Sequence, residues 1–295
     1  LDPDSSKSIL IEDSFFNTSD DVIAIKSGLN EDGWRVNKPS DTIVIRRIKS
    51  GVGHGGVTVG SEMSGGVRNV FAFDSDLTGD RALRIKTLPG RGGEIRNIYY
   101  ENIRVKGVVQ ALEVTSNYQS GTVSPSNFLP STKAHIPVFD GLHYKDIKGT
   151  ACVSGVNSDG TACTAAASGK TPAAAIYLEG IPENVNKDPI YPTAASPIKN
   201  VTFDNFVIAA ADYTWNWGDS AFLNRFPSTL VSTPAKSSDK YYLADGSPKT
   251  CFNACVKMNN VKVSATSTSS STFTNGPSLD VGTNGIVAGT GTPFA

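Results

Sequence analysis

At 295 residues the chain is long enough to bury a sizeable core, and 27 basic against 28 acidic residues leave a net charge of −1. That balance excludes the strong basic excess of a general nucleic-acid binder. No apolar run approaches the roughly 18 residues needed to cross a bilayer, so no membrane span is expected.

The first residues, Leu1-Asp2-Pro3-Asp4-Ser5, are neither basic nor apolar and include no Met. They do not read as a signal peptide, and the expectation is a processed or truncated product. Helical periodicity is nearly absent after them. Short runs rich in Ile and Val recur instead, bounded by Gly, Asn, Asp and Ser, as strands between turns are. They come in pairs: residues 8–13 with 22–26, 42–46 with 57–60, 67–71 with 82–86, and 95–100 with 111–114. The cadence returns at 138–144 with 175–178, at 198–203, and more weakly at 255–261.

Measured at Ile43, Asn69 and Asn97, the repeat steps are 26 and 28 residues. Two strand types alternating within such a period predict an all-β chain wound as a parallel β-helix. Each coil would stack on the last at roughly 4.8 Å. A β-sandwich, whose strands also recur regularly, is the alternative. Asn69, Asn97 and Asn200 recur at one place in the coil and predict a turn residue or an Asn ladder.

Three regions break the rhythm. Residues 119–134 carry Pro125, Pro130 and many Ser and Thr, and read as a surface loop. Residues 149–172 are rich in Gly, Ala, Ser and Thr. Residues 213–247 place Trp215, Trp217, Phe222 and Phe226 in loop-like context. The expected organisation is one solenoid over residues 1–263, with a Ser/Thr/Gly-rich tail or cap over 264–295 and no second domain.

The four cysteines, Cys152, Cys163, Cys251 and Cys255, fall into two local pairs. An even count in that arrangement fits two short disulfide loops and an oxidising compartment, secreted or periplasmic. Free thiols and a metal site are the alternatives. No metal is expected, because tight Cys/His spacing is missing from both halves.

The chemistry concentrates between Asn17 and Lys86. Neighbouring residues on a strand face opposite ways, so Asp20 and Asp21 can share a cleft only where the backbone bends. Such a pair can supply a protonated acid and an ionised carboxylate, because close carboxylates drive their pKa values apart. A solvated turn is the plain alternative. His54 lies in Gly53-His54-Gly55-Gly56, where a tight backbone admits a ligand, and it can orient a carboxylate. Alternation puts Arg84 and Lys86 on one strand face, where they would hold an anion or form an ordinary charged surface.

Taken together, these segments resemble the polygalacturonases and related pectin hydrolases of glycoside hydrolase family 28. The matching residues are Asp2-Pro3-Asp4-Ser5, Asp20-Asp21 with residues 23–28, Gly53-His54-Gly55-Gly56, the Gly60-Ser61-Glu62-Met63-Ser64-Gly65-Gly66 run, and Arg84-Ile85-Lys86. The resemblance runs from Leu1 to about Tyr118. It implies a right-handed parallel β-helix that inverts the anomeric centre in hydrolysing α-1,4-galacturonosidic bonds of polygalacturonate, without cofactor or metal. Asp20 would protonate the glycosidic oxygen, and Asp21 would help activate water. His54 would maintain the acid network, while Arg84, Lys86 and Tyr118 would bind the galacturonate. The run around Glu62 resembles exo-acting members, with Glu62 shaping subsites.

The family carries an Asn-Thr-Asp-Gly motif directly before the segment matching Leu1, and its Asp is a third catalytic carboxylate. The expectation is that the first coils come from a separate N-terminal segment of the same protein or from a partner. Three other readings stay open. One is a rhamnogalacturonan or xylogalacturonan hydrolase. Another is a pectate lyase, which would need a Ca²⁺-binding carboxylate cluster. The third is a solenoid that binds acidic polysaccharide without cleaving it.

Overall fold

The structure, a computed structural model, describes residues 1–116, 118, 135–151, 174–179, 198–209, 213–216, 254–259 and 262–264. The strands are β1 (Lys7–Glu12), β2 (Phe15–Phe16), β3 (Ile23–Ile25), β4 (Ser40–Arg46), β5 (Lys49–Ser50) and β6 (Gly55–Gly60). They continue as β7 (Val67–Leu77), β8 (Arg81–Lys86), β9 (Glu94–Val108), β10 (Gln110–Thr115) and β11 (Val138–Ala151). Then come β12 (Ala174–Glu179), β13 (Ile198–Ala209), β14 (Tyr213–Asn216), β15 (Ala254–Asn259) and β16 (Lys262–Ser264). Among the described residues one helix, α1 (Asn30–Val36), interrupts the first coils.

Among the described residues all strand pairings are parallel, and they link strands one coil apart, such as β3 with β6 and β6 with β8, rather than neighbours in sequence. One sheet runs β1-β4-β7-β9-β11-β13-β15, and the other runs β14-β12-β10-β8-β6-β3. Each turn of chain therefore lays strands on both sheets, with the short β2, β5 and β16 joining the β1 sheet, which is a parallel β-helix, right-handed as expected. Inward positions stack like with like: Ile23, Val57, Leu83, Leu112 and Ile176 form one continuous buried row. A second row pairs Ile9, Ile43, Val70 and Ile98. Core burial is thus continuous along the axis, although each coil alone buries little.

The corners come from residues in the left-handed region. Thr42, Asn69, Asn97, Gly141 and Asn200 have φ of 60°, 55°, 56°, 84° and 53°. Arg47, Asp74, Asn102, Asp146 and Asn205 repeat this at 54°, 53°, 51°, 53° and 57°. Asn and Asp tolerate this conformation better than other residues with a Cβ. Their side chains also ladder along the axis. Asn97 Nδ2 donates to Asn69 Oδ1 at 3.1 Å, and Asn69 Nδ2 donates to Asp41 Oδ1 at 2.9 Å. Asn102 Nδ2 donates to Asp74 at 2.6 Å.

The structure amends three details of the sequence reading. Ile43 pairs with Val70, so Asn69 stands opposite Thr42 and the first step is one residue longer than Ile43-to-Asn69 suggests. The strands at 95–100, 138–144 and 198–203 continue to Val108, Ala151 and Ala209, because each passes through a second left-handed corner. Residues 213–216, expected in a loop, form β14 and pair with β12. The side chains of Cys152, Cys163, Cys251 and Cys255, and the tail 265–295, lie outside the described residues.

Candidate active site

Asp20 and Asp21 occupy the bend between β2 and β3. Thr18 Oγ1 donates to Asp20 O at 2.7 Å, and His54 N donates to the same oxygen at 3.3 Å. The Asp20 carboxylate accepts the backbone N–H of Asp21 at 2.8 Å. This bend sends the two side chains into different surroundings. Asp20 is 81% exposed, whereas Asp21 is 7% exposed. His54, just before β6, places Nδ1 3.5 Å from Asp20 Oδ1.

Close packing permits the arrangement at Gly55. A Cβ there would come within 2.6 Å of Asp21 Oδ1 and 2.2 Å of Thr58 Oγ1, so only glycine leaves Asp21 its place.

Arg84 and Lys86 point outward from β8, as alternation predicts, yet both are buried. Lys86 Nζ donates to Asp21 Oδ2 at 2.5 Å, and Arg84 Nη1 lies 3.4 Å from Asp21 Oδ1. The alternative of an ordinary, exposed charged surface therefore does not hold. Three charges are held together away from water, where such pairs are strong and unpaired members costly. Tyr118 covers both cations, its ring centroid 5.3 Å from Arg84 Cζ and 4.9 Å from Lys86 Nζ, within cation–π range. Its N–H donates to Thr87 O at 2.9 Å, which fixes the ring over β8.

Glu62 sits apart from this cluster. Its carboxylate binds Lys26 Nζ at 2.9 Å, and Asp2 binds the same ammonium at 3.0 Å. Burial works against the charge of Lys26, but Glu62 and then Asp2 more than offset it and raise its pKa. Lys26 directly follows β3, whose Ile25 pairs with Val59, and the next residue of that strand, Gly60, pairs with Lys86, so this charged group borders the sheet that carries Lys86 two coils away.

The Asp20 carboxyl titrates below its ordinary range. The Asp21 N–H is the main cause; burial opposes it, and Lys86, His54 and Arg84 add to it. In the free chain Asp20 is thus an ionised, exposed carboxylate.

One residue of the cluster had no part in the sequence reading. Glu113 on β10 pairs in register with Arg84 on β8, and its Oε2 accepts Arg84 Nε at 2.6 Å. Arg81 Nε lies 3.0 Å from the same oxygen without hydrogen-bonding alignment. The signal was available: Glu113 stands 29 residues after Arg84, one coil step along. Among the described residues, no group of three or more His, Cys, Asp and Glu side chains is arranged to hold a metal ion.

The family model "Glycosyl hydrolases family 28" matches residues 1–167, beyond the Tyr118 limit of the motif resemblance. A probable polygalacturonase of Vitis vinifera is 32% identical over 205 residues, covering 64% of this chain and 41% of the relative. An endo-polygalacturonase of Pectobacterium carotovorum is 30% identical over 163 residues, covering 54% and 36%. The chain thus spans about two fifths of the length of these relatives. A hyperthermoactive exopolygalacturonase from Thermotoga maritima superposes with a TM-score of 0.56 at 24% identity, over 89% of this chain and 43% of that one. That likeness concerns the fold.

Proposed function

The chain belongs to the glycosyl hydrolases of family 28, and from that premise we propose that it carries acid, base and cation groups of a polygalacturonate hydrolase. The observation that carries this reading is the buried Asp21–Lys86–Arg84 cluster beside the exposed Asp20–His54 pair. A galacturonide is an anion at neutral pH. Arg84 and Lys86, already desolvated, offer it donors that no longer need stripping of water, and Arg supplies a fork that matches a carboxylate.

Asp20 reaches solvent and would deliver the proton to the glycosidic oxygen. Its pKa must rise for that task. A bound uronate supplies both means, a like charge and exclusion of water. His54 at 3.5 Å would hold the Asp20 carboxyl in its proton-bearing geometry. Asp21, held by Lys86 at 2.5 Å, would help activate the attacking water. Two carboxyl groups so divided, with water between, suit single displacement and inversion.

The finer parts of the proposal rest on the resemblance. Exo action and a subsite role for Glu62 follow the Gly60–Gly66 run. A further carboxylate would come from an N-terminal segment of the same protein, which would join the edge where Leu1 O accepts Ala24 N at 3.0 Å and Pro3 O accepts Lys26 N at 2.8 Å. A secreted or periplasmic location fits a polymeric substrate. The test is incubation of the full-length protein with polygalacturonate, following new reducing ends and product sizes. The reading expects galacturonate monomers or very short products, formed with the inverted anomer on NMR. An unsaturated product, a retained anomer or no product would contradict hydrolysis by this route, and mid-chain products would contradict exo action alone.

A further inference from the structure

Arg84 is held by two carboxylates from opposite directions. On one side Glu113 Oε2 accepts Arg84 Nε at 2.6 Å, from the next coil. On the other side Asp21 Oδ1 lies 3.4 Å from Arg84 Nη1, a longer and weaker contact. All three side chains are buried. Asp21 has a second, shorter partner in Lys86. The stronger pull on Arg84 thus comes from Glu113, through Nε, and the terminal fork carries the longer Nη1 contact to Asp21.

We propose that Glu113 is a positioning residue that holds Arg84 back from Asp21 and keeps its terminal nitrogens available to the substrate carboxylate. The inference rests on the hydrolase reading above, and it adds a determinant of selectivity for free over esterified uronate. Were Glu113 uncharged, the nearest negative partner of Arg84 would be Asp21. The guanidinium would close the 3.4 Å gap and pair with it. Both ends of the site would suffer: Asp21 would gain a second tight cation, and the substrate carboxylate would lose its fork. Glu113 also serves the charge balance around Arg81, whose Nε lies 3.0 Å away. The direction of the Arg84 shift agrees. Burial works against its charge, and Glu113, then Asp21, more than offset that and raise its pKa.

The coil geometry supports the role. Glu113 and Arg84 are register partners on adjacent outward positions of one sheet, with Thr58 and Ala24 continuing the column. The short Thr58 and Ala24 side chains make no competing ion pair with Arg84. Its carboxylate partners are therefore Glu113 along the column and Asp21 across it.

The test compares wild-type, Glu113→Gln and Arg81→Gln forms of the full-length protein on an unesterified galacturonide trimer and on its methyl ester. Glutamine preserves the shape and an acceptor for Nε while removing the charge. The expected result for Glu113→Gln is a fall in kcat/KM about tenfold larger for the free acid than for the ester, most of the difference lying in KM. Arg81→Gln leaves Glu113 with Arg84 as its cation and is expected to keep the wild-type preference or strengthen it. Equal losses on both substrates in Glu113→Gln, in step with a lowered melting temperature, would overturn the positioning role. If Glu113→Gln does not fold, Arg81→Gln decides, and a weakened preference there overturns the proposal. A wild-type protein inactive on both substrates would instead remove the hydrolase reading itself.

Discussion

Asp21 and Lys86 stand 65 residues apart in the chain and 2.5 Å apart in the structure. Three successive coils bring them together: Asp21 precedes β3, β6 intervenes, and Lys86 ends β8. The contact shows how a solenoid builds a site. Residues that are ordinary on one coil become a charged cluster once coils stack.

Removing one partner leaves the other charged and buried. Lys86→Met should therefore destabilise the protein by about 3 kcal/mol. In Lys86→Met with Asp21→Asn the loss should be smaller than the sum of the single losses, with a coupling of about 2 kcal/mol. Urea denaturation of the four forms measures this cycle, and additive losses would mean the pair contributes nothing specific.

The corner ladder gives a second expectation. Asn97 has φ of 56° and donates to Asn69 Oδ1. Asn97→Ala loses the hydrogen bond and places alanine in the left-handed region, a cost of about 2 kcal/mol in all. Asn97→Gly keeps the conformation and should cost about half as much. Equal midpoints for the two variants in urea would show that conformation is not what selects asparagine here.

How far this was legible in the sequence depends on the residue. Arg84-Ile85-Lys86 announced itself, because alternation alone fixes two cations on one face. The parallel stacking was readable from paired Ile/Val runs at a near-constant step, and the ladder from recurrent Asn. Glu113 was not singled out because a lone acid in Ala111-Leu112-Glu113-Val114 carries no local pattern. Its meaning emerges only when a coil step is counted back to Arg84. Helix α1 was missed for a different reason. Its buried residue is Gly33, packed against Gly28, and no side chain caps its start. Seven residues with no apolar stripe give periodicity nothing to detect. The one-residue slip at Asn69 arose because the corner residue and the first inward residue are neighbours, Asn69 and Val70, and only the register separates them.

Acid should weaken the fold through Asp41. Burial raises the pKa of its carboxyl, but donors Asn69, Arg68 and Thr42 more than offset that and lower it. A depressed folded pKa contributes stability that is present above the unfolded value of about 3.9 and lost as pH falls through the folded one. Urea midpoints should therefore drop below about pH 4, and less steeply in Asp41→Asn than in the wild type. An unchanged slope would assign the acid sensitivity elsewhere.

The Asp20 shift makes a kinetic expectation with a definite sign. In the free protein its carboxyl titrates low, whereas a bound uronate should raise it. Activity that needs protonated Asp20 declines on the basic side as that proton is lost. The basic limb of kcat should thus lie at higher pH than the basic limb of kcat/KM, since the two report the complex and the free enzyme. Coincident limbs, or a reversed order, would count against Asp20 as the acid.

The central claim is that the Asp20–Asp21 bend is where the glycosidic bond is hydrolysed. Its most direct measurement is reducing-end release from polygalacturonate by the full-length protein and its Asp20→Asn form, with melting temperatures in parallel. Asp20 is 81% exposed, so the substitution should leave the melting temperature nearly unchanged while turnover falls by about 10²-fold or more. Turnover equal to that of the wild type, from a folded Asp20→Asn protein, would contradict the account.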